Sequence, residues 1–413
     1  SVMKEAEQVA GGSARVKVPG DVTSPLGFQA GGVACGIKPE GLDLGLLVCQ
    51  VPAVSAAVYT KHPFRAAPLL VTQDSLVREG LLQAVVVNSG NANACTGDRG
   101  LADARQIRQE TARRLGVPEH RVAVASTGVI GEFLPVDKLI RGIQRMMPVR
   151  EQGGKDFAAA ICTTDTRLKT AQICFEVDGR QVTLAGAAKG AGMIHPNMAT
   201  MLVFLTTDAA VERQALEQAL REAVDDSFNM ISVDGDTSTN DMVLLMASGM
   251  AENAPLSPEH PEWAAFVQSL NELCKELAKQ IVRDGEGATH LIEVQVDGAA
   301  DTRMARRVAR SVVQSNLVKT AVYGGDANWG RIVMAVGNSG CPIVPQQVAV
   351  WLGEVQVVRD GLPADYDEAL ATAQLAPEVV RIRVHLGMGE ARATAWGCDL
   401  TEEYVRINGS YRT

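Results

Sequence analysis

Ala188-Lys189-Gly190-Ala191-Gly192-Met193-Ile194-His195-Pro196-Asn197-Met198-Ala199-Thr200-Met201-Leu202 is the stretch from which the rest of the chain is best read. A strand-like run feeds a glycine-rich loop, and the next strand begins at a threonine. Gly190 and Gly192 open backbone conformations that a side chain forbids, and Pro196 stiffens the approach. Such a loop could hold the Ala199–Thr200 peptide bond in a strained, attackable pose. Thr200 Oγ would then attack the preceding carbonyl, the acyl group would shift from N to O, and water would release the ester. The product is a threonine with a free α-amine, whose ordinary pKa of about 7.7–8.0 suits a general base at neutral pH. A hydroxyl beside its own amine is one way to activate a weak nucleophile. The plainer reading is an ordinary hairpin loop with a threonine at the start of a strand, where threonines are common. On the residues alone, the plainer reading is favoured.

On either side of this stretch strands and helices alternate. β-type runs fall at Ala84–Asn88, Arg121–Ser126, Ala171–Val177 and Gln181–Ala185, then at Met201–Thr206, Met230–Val233 and Met242–Met246. Further runs follow at Leu291–Val296, Ile332–Val336, Val348–Leu352 and Val379–Leu386. Helical periodicity covers Leu101–Leu115, Val136–Met147, Val211–Val224, Glu262–Arg283, Arg303–Val318 and Ala364–Leu375. The alternation predicts an α/β or layered α+β fold. A glycine-rich turn at Asp284-Gly285-Glu286-Gly287 separates the longest helix from a fresh strand. It predicts a main domain over 1–285 and a smaller C-terminal α/β domain over 286–413.

Composition narrows the function. The chain has 413 residues, 46% hydrophobic and 21% charged, which fits a globular enzyme and is too apolar for disorder. A net charge of −9, no long Lys/Arg run and only 4% aromatics argue against nucleic acid and anionic membranes as partners. Eight cysteines without a CxxC pair read as buried thiols of a reducing compartment. No stretch reaches the roughly 18 apolar residues of a membrane span, and the expected location is cytoplasmic.

Several other segments could carry chemistry. Ala125-Ser126-Thr127-Gly128-Val129 is a strand running into a turn, whose tip could offer backbone N–H groups to an oxyanion; by itself it is a routine strand exit. Lys189 could pair with a substrate carboxylate, although a lone lysine is usually a solvated cation. Glu286 reads equally as a surface carboxylate at a helix exit. Asp234-Gly235-Asp236-Thr237-Ser238-Thr239-Asn240-Asp241 begins like a calcium loop but has Thr239 and Leu245 where an EF-hand needs Gly and Glu. Walker A, GxSxG and HExxH patterns are absent, and the six histidines show no ligand spacing. Only His195 lies near the chemistry, as a loop-shaping residue.

The Lys-Gly-x-Gly-Met loop ending in Met198-Ala199-Thr200 closely resembles the signature of the ornithine acetyltransferase family (glutamate N-acetyltransferases of arginine biosynthesis). The resemblance runs from Gly27-Phe28-Gln29-Ala30-Gly31-Gly32 to Asn408-Gly409-Ser410-Tyr411-Arg412-Thr413. It takes in Asp234–Asp241 and Tyr323-Gly324-Gly325-Asp326-Ala327-Asn328-Trp329-Gly330-Arg331, the latter expected as structure around the pocket. It implies an αββα sandwich of the N-terminal-nucleophile-like type and autocatalytic cleavage between Ala199 and Thr200. The products would be chains 1–199 and 200–413, assembled as a heterotetramer of two α and two β chains. It implies Thr200 as nucleophile and Thr127 with Gly128 as the oxyanion hole. Thr163 (with Thr164 adjacent), Lys189, Thr200, Glu286, Asn408 and Thr413 would bind substrate. The implied reaction is ping-pong transfer of acetyl from N2-acetylornithine to L-glutamate through acetyl-Thr200. No metal or organic cofactor is expected, and some family members also take acetyl from acetyl-CoA. The alternative on the same scaffold is an N-terminal-nucleophile aminopeptidase or amidase, with water in place of glutamate. A non-catalytic amino-acid-binding protein of similar fold is the third reading.

Overall fold

Leu44–Tyr59 is a sixteen-residue strand rich in Val, Leu and Ala, and three neighbours share its length. Its first half lies between Phe28–Val33 and Leu81–Asn91. Pro52 has no N–H to give the ladder, and the register to Leu81–Asn91 shifts between Val48 and Ala53. The second half pairs antiparallel with Met242–Ala247. The computed structural model describes residues 5–8, 14–194 and 201–410.

From Met242–Ala247 the sheet continues to Leu202–Thr207 in parallel, with Met242 opposite Leu202. Arg180–Lys189 follows in antiparallel, with Lys189 opposite Leu202. Lys169–Val177, Ala14–Val18 and Glu5–Gln8 complete that side. At the far edge Val122–Val129 runs parallel to Leu81–Asn91 and sets Gly128 opposite Gly90. Leu202–Thr207 and Met242–Ala247 are buried at every position, as strands covered on both faces must be.

Helices lie against this ten-stranded sheet. Gln152–Ala160 packs on Phe28–Val33, and the fully buried Phe157 meets Phe204 edge-on, ring centroids 5.4 Å apart. Trp263–Arg283 crosses Lys169–Val177 and Arg180–Lys189 and also touches a second, seven-stranded sheet. That sheet is ordered Ile231–Ser232, Ala391–Cys398, Leu291–Ala299, Val379–His385, Ala349–Leu352, Val355–Arg359 and Leu362–Pro363. Thr302–Gln314 covers its Leu291–Ala299 and Ala391–Cys398 strands. The architecture is layered α/β, as the alternation of elements predicts.

Three expectations are corrected. Residues 332–336 lie in a helix, Trp329–Gly337. Asn328 caps it by accepting from Arg331 N–H, and Ile332, Ala335 and Val336 share its buried face. The expected helix 303–318 is two helices, Thr302–Gln314 and Asn316–Tyr323, the second capped by Ser315. All eight cysteines are free thiols, but only Cys49, Cys274 and Cys398 are fully buried, and Cys95 is exposed. No helix among the described residues is long and apolar enough to cross a membrane.

Phe157→Ala removes a ring from this interior with nothing placed to fill the space. It should lower stability by about 3–5 kcal/mol, read as a lower urea midpoint at unchanged slope.

Candidate active site

Pairing Lys189 with Leu202 brings the two ends of the glycine-rich loop together, and a cleft opens there. Lys189 is 8% exposed; its Nζ donates to Thr127 Oγ1 at 3.2 Å and to Thr163 Oγ1 at 3.0 Å. One cation thus joins the tip of strand Val122–Val129 to the segment after helix Gln152–Ala160. At that tip Gly128 has φ +133°, and a Cβ there would lie 2.4 Å from Gly90 C in the neighbouring strand. Only glycine fits so close to a facing backbone.

The opposite wall comes from the end of Trp263–Arg283. Glu286 N–H donates to Ala191 O at 2.9 Å, tying the helix exit to the loop. Gly192 leaves room for this carboxyl, since a Cβ on Gly192 would lie 1.4 Å from Glu286 Oε1. Asn408, on the last helix Glu402–Ser410, donates Nδ2–H to Glu286 Oε2 at 3.2 Å. Burial, with the nearby charge of Asp234, lifts Glu286 to about 7, against the pull of Lys189 and the Asn408 hydrogen bond.

Behind the cleft lies a buried ion cluster. Lys169, 1% exposed, donates to Asp165 and, at 2.7 Å, to Asp284 Oδ2. Asp165 also accepts from Gly190 N–H at 2.9 Å, and Asp284 from Thr166 N–H at 2.9 Å. Burial alone would raise the Asp165 carboxyl, but the ammoniums of Lys169 and Lys189 and the Gly190 N–H outweigh it and hold it at about 2.

Asp234 accepts from Met193 N–H at 2.8 Å, Ile194 N–H at 3.1 Å and the Tyr404 hydroxyl at 3.0 Å, so this run anchors the loop. Asn240 donates Nδ2–H to Ala92 O at 2.6 Å and Ser126 O at 2.8 Å, holding the Thr127-Gly128 tip in place. Asp241 beside it is buried and lines the cleft, and burial pushes its carboxyl well above the usual range. The Asp178, His260 and Glu262 cluster is the one grouping among the described residues with metal-ligand proximity. Its ring nitrogens are engaged internally: Nδ1 accepts from Glu262 N–H and Nε2 faces Asp178.

The ArgJ family model matches residues 29–413. The chain belongs to that family. It is 54% identical over 395 residues to the arginine biosynthesis bifunctional protein ArgJ of Geobacillus kaustophilus, covering 95% of this chain and 96% of the relative. It is 53% identical over 400 residues to the Bacillus subtilis protein of the same name, covering 96% and 98%. A crystal structure of the Bacillus halodurans protein, 52% identical, aligns with TM-score 0.50 over 50% of this chain and 98% of that one.

Of the residues named from the sequence, Thr127, Gly128, Thr163, Lys189, Glu286 and Asn408 line this one cleft, together with Thr164. Between the two threonines, Thr163 is the one that accepts from Lys189. His195, Ala199, Thr200 and Thr413 lie outside the described residues; Met201, the residue after Thr200, lines the cleft. Tyr323–Arg331 does not line the cleft; it backs the helix carrying Asn408 through the Tyr323 hydroxyl on Glu402, at 3.1 Å. Lys169 has no local signature; Asp234, Asn240 and Asp241 fall in the run Asp234–Asp241 that the family resemblance takes in.

Lys169→Met should leave two carboxyls buried without their cation and lower stability by about 3–5 kcal/mol at pH 7, measured by urea unfolding. Asp165 is held below its ordinary 3.8, so its contribution is present above that value and is lost as pH falls through about 2. The gap between wild type and variant should therefore narrow from pH 4 downward.

Proposed function

We propose that this protein is a self-cleaving acetyltransferase of arginine biosynthesis that moves acetyl from N2-acetylornithine to L-glutamate. The observation that carries the reading is the convergence of Thr127, Gly128, Thr163, Lys189, Glu286 and Asn408 beside Met201. The names of its relatives support the pathway and a second activity, for which acetyl-CoA is the proposed donor. Cleavage at Ala199–Thr200 is supported by the Bacillus halodurans structure, whose chain is about half as long as this one. The two products, 1–199 and 200–413, are proposed to stay together and pair into a heterotetramer.

In this mechanism the freed α-amine of Thr200 takes the hydroxyl proton as Oγ adds to the acetyl carbonyl. Thr127 and Gly128 stabilise the oxyanion. The intermediate collapses, the C–N bond breaks, and the proton passes to the departing amine of ornithine. Glutamate then occupies the same cleft, and its α-amine takes the acetyl group from Thr200. Lys189 offers the positive charge for the α-carboxylate that both amino acids share. Glu286 meets the side chains, which differ in charge: acetylornithine carries an ammonium and glutamate a carboxylate. A carboxyl that titrates near 7 can face the first as an anion and the second as an acid.

Mass spectrometry of the purified protein should find both products without added protease, and Thr200→Ala should remain one inactive chain. Acetylornithine without an acceptor should add one acetyl group to the first residue of 200–413. Acetate release at the same rate with and without glutamate would mark a hydrolase instead. An unlabelled Thr200 would remove the covalent step.

The Glu286 carboxyl holds its proton below about 7 and is an anion above it. The KM for acetylornithine should therefore fall as pH rises through 7 while the KM for glutamate rises. Glu286→Gln should flatten both profiles in steady-state assays.

A further inference from the structure

A second cavity, of about 400 Å³, shares no lining residue with the cleft and lies at the edge of the seven-stranded sheet. Its volume is in the range of small-ligand pockets, about 300–1,000 Å³. Ile231–Ser232 pairs only with Trp396 and Gly397, so the edge of Ala391–Cys398 ahead of Trp396 has no partner strand there among the described residues. The cavity opens along that stretch, and Met230 and Trp396, 1% and 3% exposed, close its floor. Three cations line it: Lys275 from helix Trp263–Arg283, Arg306 from helix Thr302–Gln314 and Arg392 from the strand. Its two acids are already matched. Asp226 pairs with Arg306 at 2.5 Å, and Asp297 accepts from Arg383 Nε–H at 2.8 Å and faces His385 Nδ1 at 2.6 Å. Lys275 and Arg392 make no ion pair or side-chain hydrogen bond among the described residues. One turn on from Arg306, burial and the cations Arg306 and Arg307 push Arg310 below the usual guanidinium range, against the pull of Asp225. Positive charge is in excess here, and two of its carriers have donors to spare.

We infer that this cavity is an effector site for a small oxyanion of two or more charges, a phosphate or a polycarboxylate, whose binding strengthens substrate binding in the cleft. The effect on substrate rests on the acetyltransferase reading above; the site itself does not. A guanidinium and an ammonium with free donors suit such an anion. Each wall of the cavity also continues into a wall of the cleft. Lys275 precedes the helix end at Arg283 by about 12 Å of axis, and Asp284 and Glu286 follow. Met230 leads through Ile231–Ser232 to Asp234, which holds the glycine-rich loop. Strand Ala391–Cys398 leads to helix Glu402–Ser410, which carries Asn408. Glu286 and Asn408 meet at 3.2 Å. An anion held between Lys275 and Arg392 ties that helix and that strand together upstream of the cleft. The same two elements deliver Glu286 and Asn408, so fixing their spacing favours the arrangement that receives substrate.

Isothermal titration of the full-length protein at low ionic strength reads the site directly, with inorganic phosphate and citrate in separate arms and sodium chloride as control. At least one of the two should bind saturably, and the tighter arm names the class. Lys275→Gln combined with Arg392→Gln removes both charges at positions outside the cleft. It should weaken that binding about tenfold or more and leave turnover without added anion at the wild-type rate. In steady-state assays the KM for acetylornithine should fall about fivefold or more as the site fills, with kcat within about twofold, in wild type only. Wild type that transfers no acetyl from acetylornithine to glutamate overturns the acetyltransferase reading and the effector role with it, while the isotherms still decide the site. Should the double variant fail to fold, Arg392→Glu, at an exposed position, replaces it with the same expectations. No saturable binding of either anion by wild type overturns the inference. So does equal binding by the variant, or a filled site that leaves the KM for acetylornithine unchanged.

Discussion

A single ammonium, that of Lys169, lies in the interior between the carboxylates of Asp165 and Asp284. Charges in that position are worth having only when each is matched and hydrogen-bonded, and these are. Asp165 also holds Gly190, where the glycine-rich loop begins, and Asp284 holds Thr166 while ending the longest helix. The three pieces that must meet to form the cleft are the loop start, the threonine segment 163–166 and the helix exit bearing Glu286. All of them are fastened to this one cation. Lys189 can then spend its own donors on Thr127 and Thr163, because its neighbour Asp165 is already neutralised from behind.

The electrostatics of the cleft follow from that division. Asp165 stays ionised because cations surround it, whereas Glu286 and Asp241 sit where burial dominates and rise. Three carboxyls within one site thus have three different proton affinities. An enzyme that must accept an ammonium and a carboxylate in turn has use for such a spread.

The strands are easy to locate where an apolar run stops at a polar residue, as Leu202–Thr207 does at Asp208 and Met242–Ala247 does at Ser248-Gly249. It misled where a short apolar run had two readings: Ile332–Val336 has no internal mark of helix, and the cap that decides it is Asn328, outside the run. The long strand Leu44–Tyr59 has no clear signature because Gly45 and Pro52 interrupt it, and one of its three partners, Met242–Ala247, is distant in sequence. At the site, the residues in the glycine-rich loop and near it could be named because their motif is compact. Lys169 could not. Its meaning comes from its contact with Asp284, which no spacing along the chain encodes.

The order of strands in the large sheet also constrains how the protein can be made. Arg180–Lys189, then Leu202–Thr207 and Met242–Ala247, then Leu44–Tyr59 lie side by side. Two strands from beyond residue 200 are therefore enclosed by strands that precede it. Neither portion completes the sheet alone: the first would have a gap in the middle of its sheet, and the second would carry a largely apolar two-stranded ribbon with bare edges, a template for aggregation. The two portions have to complete one sheet together, and a break at residue 200 made after it forms leaves them interlocked. Pulling the pieces apart would then mean unravelling the sheet itself, so their association should persist on the timescale of global unfolding.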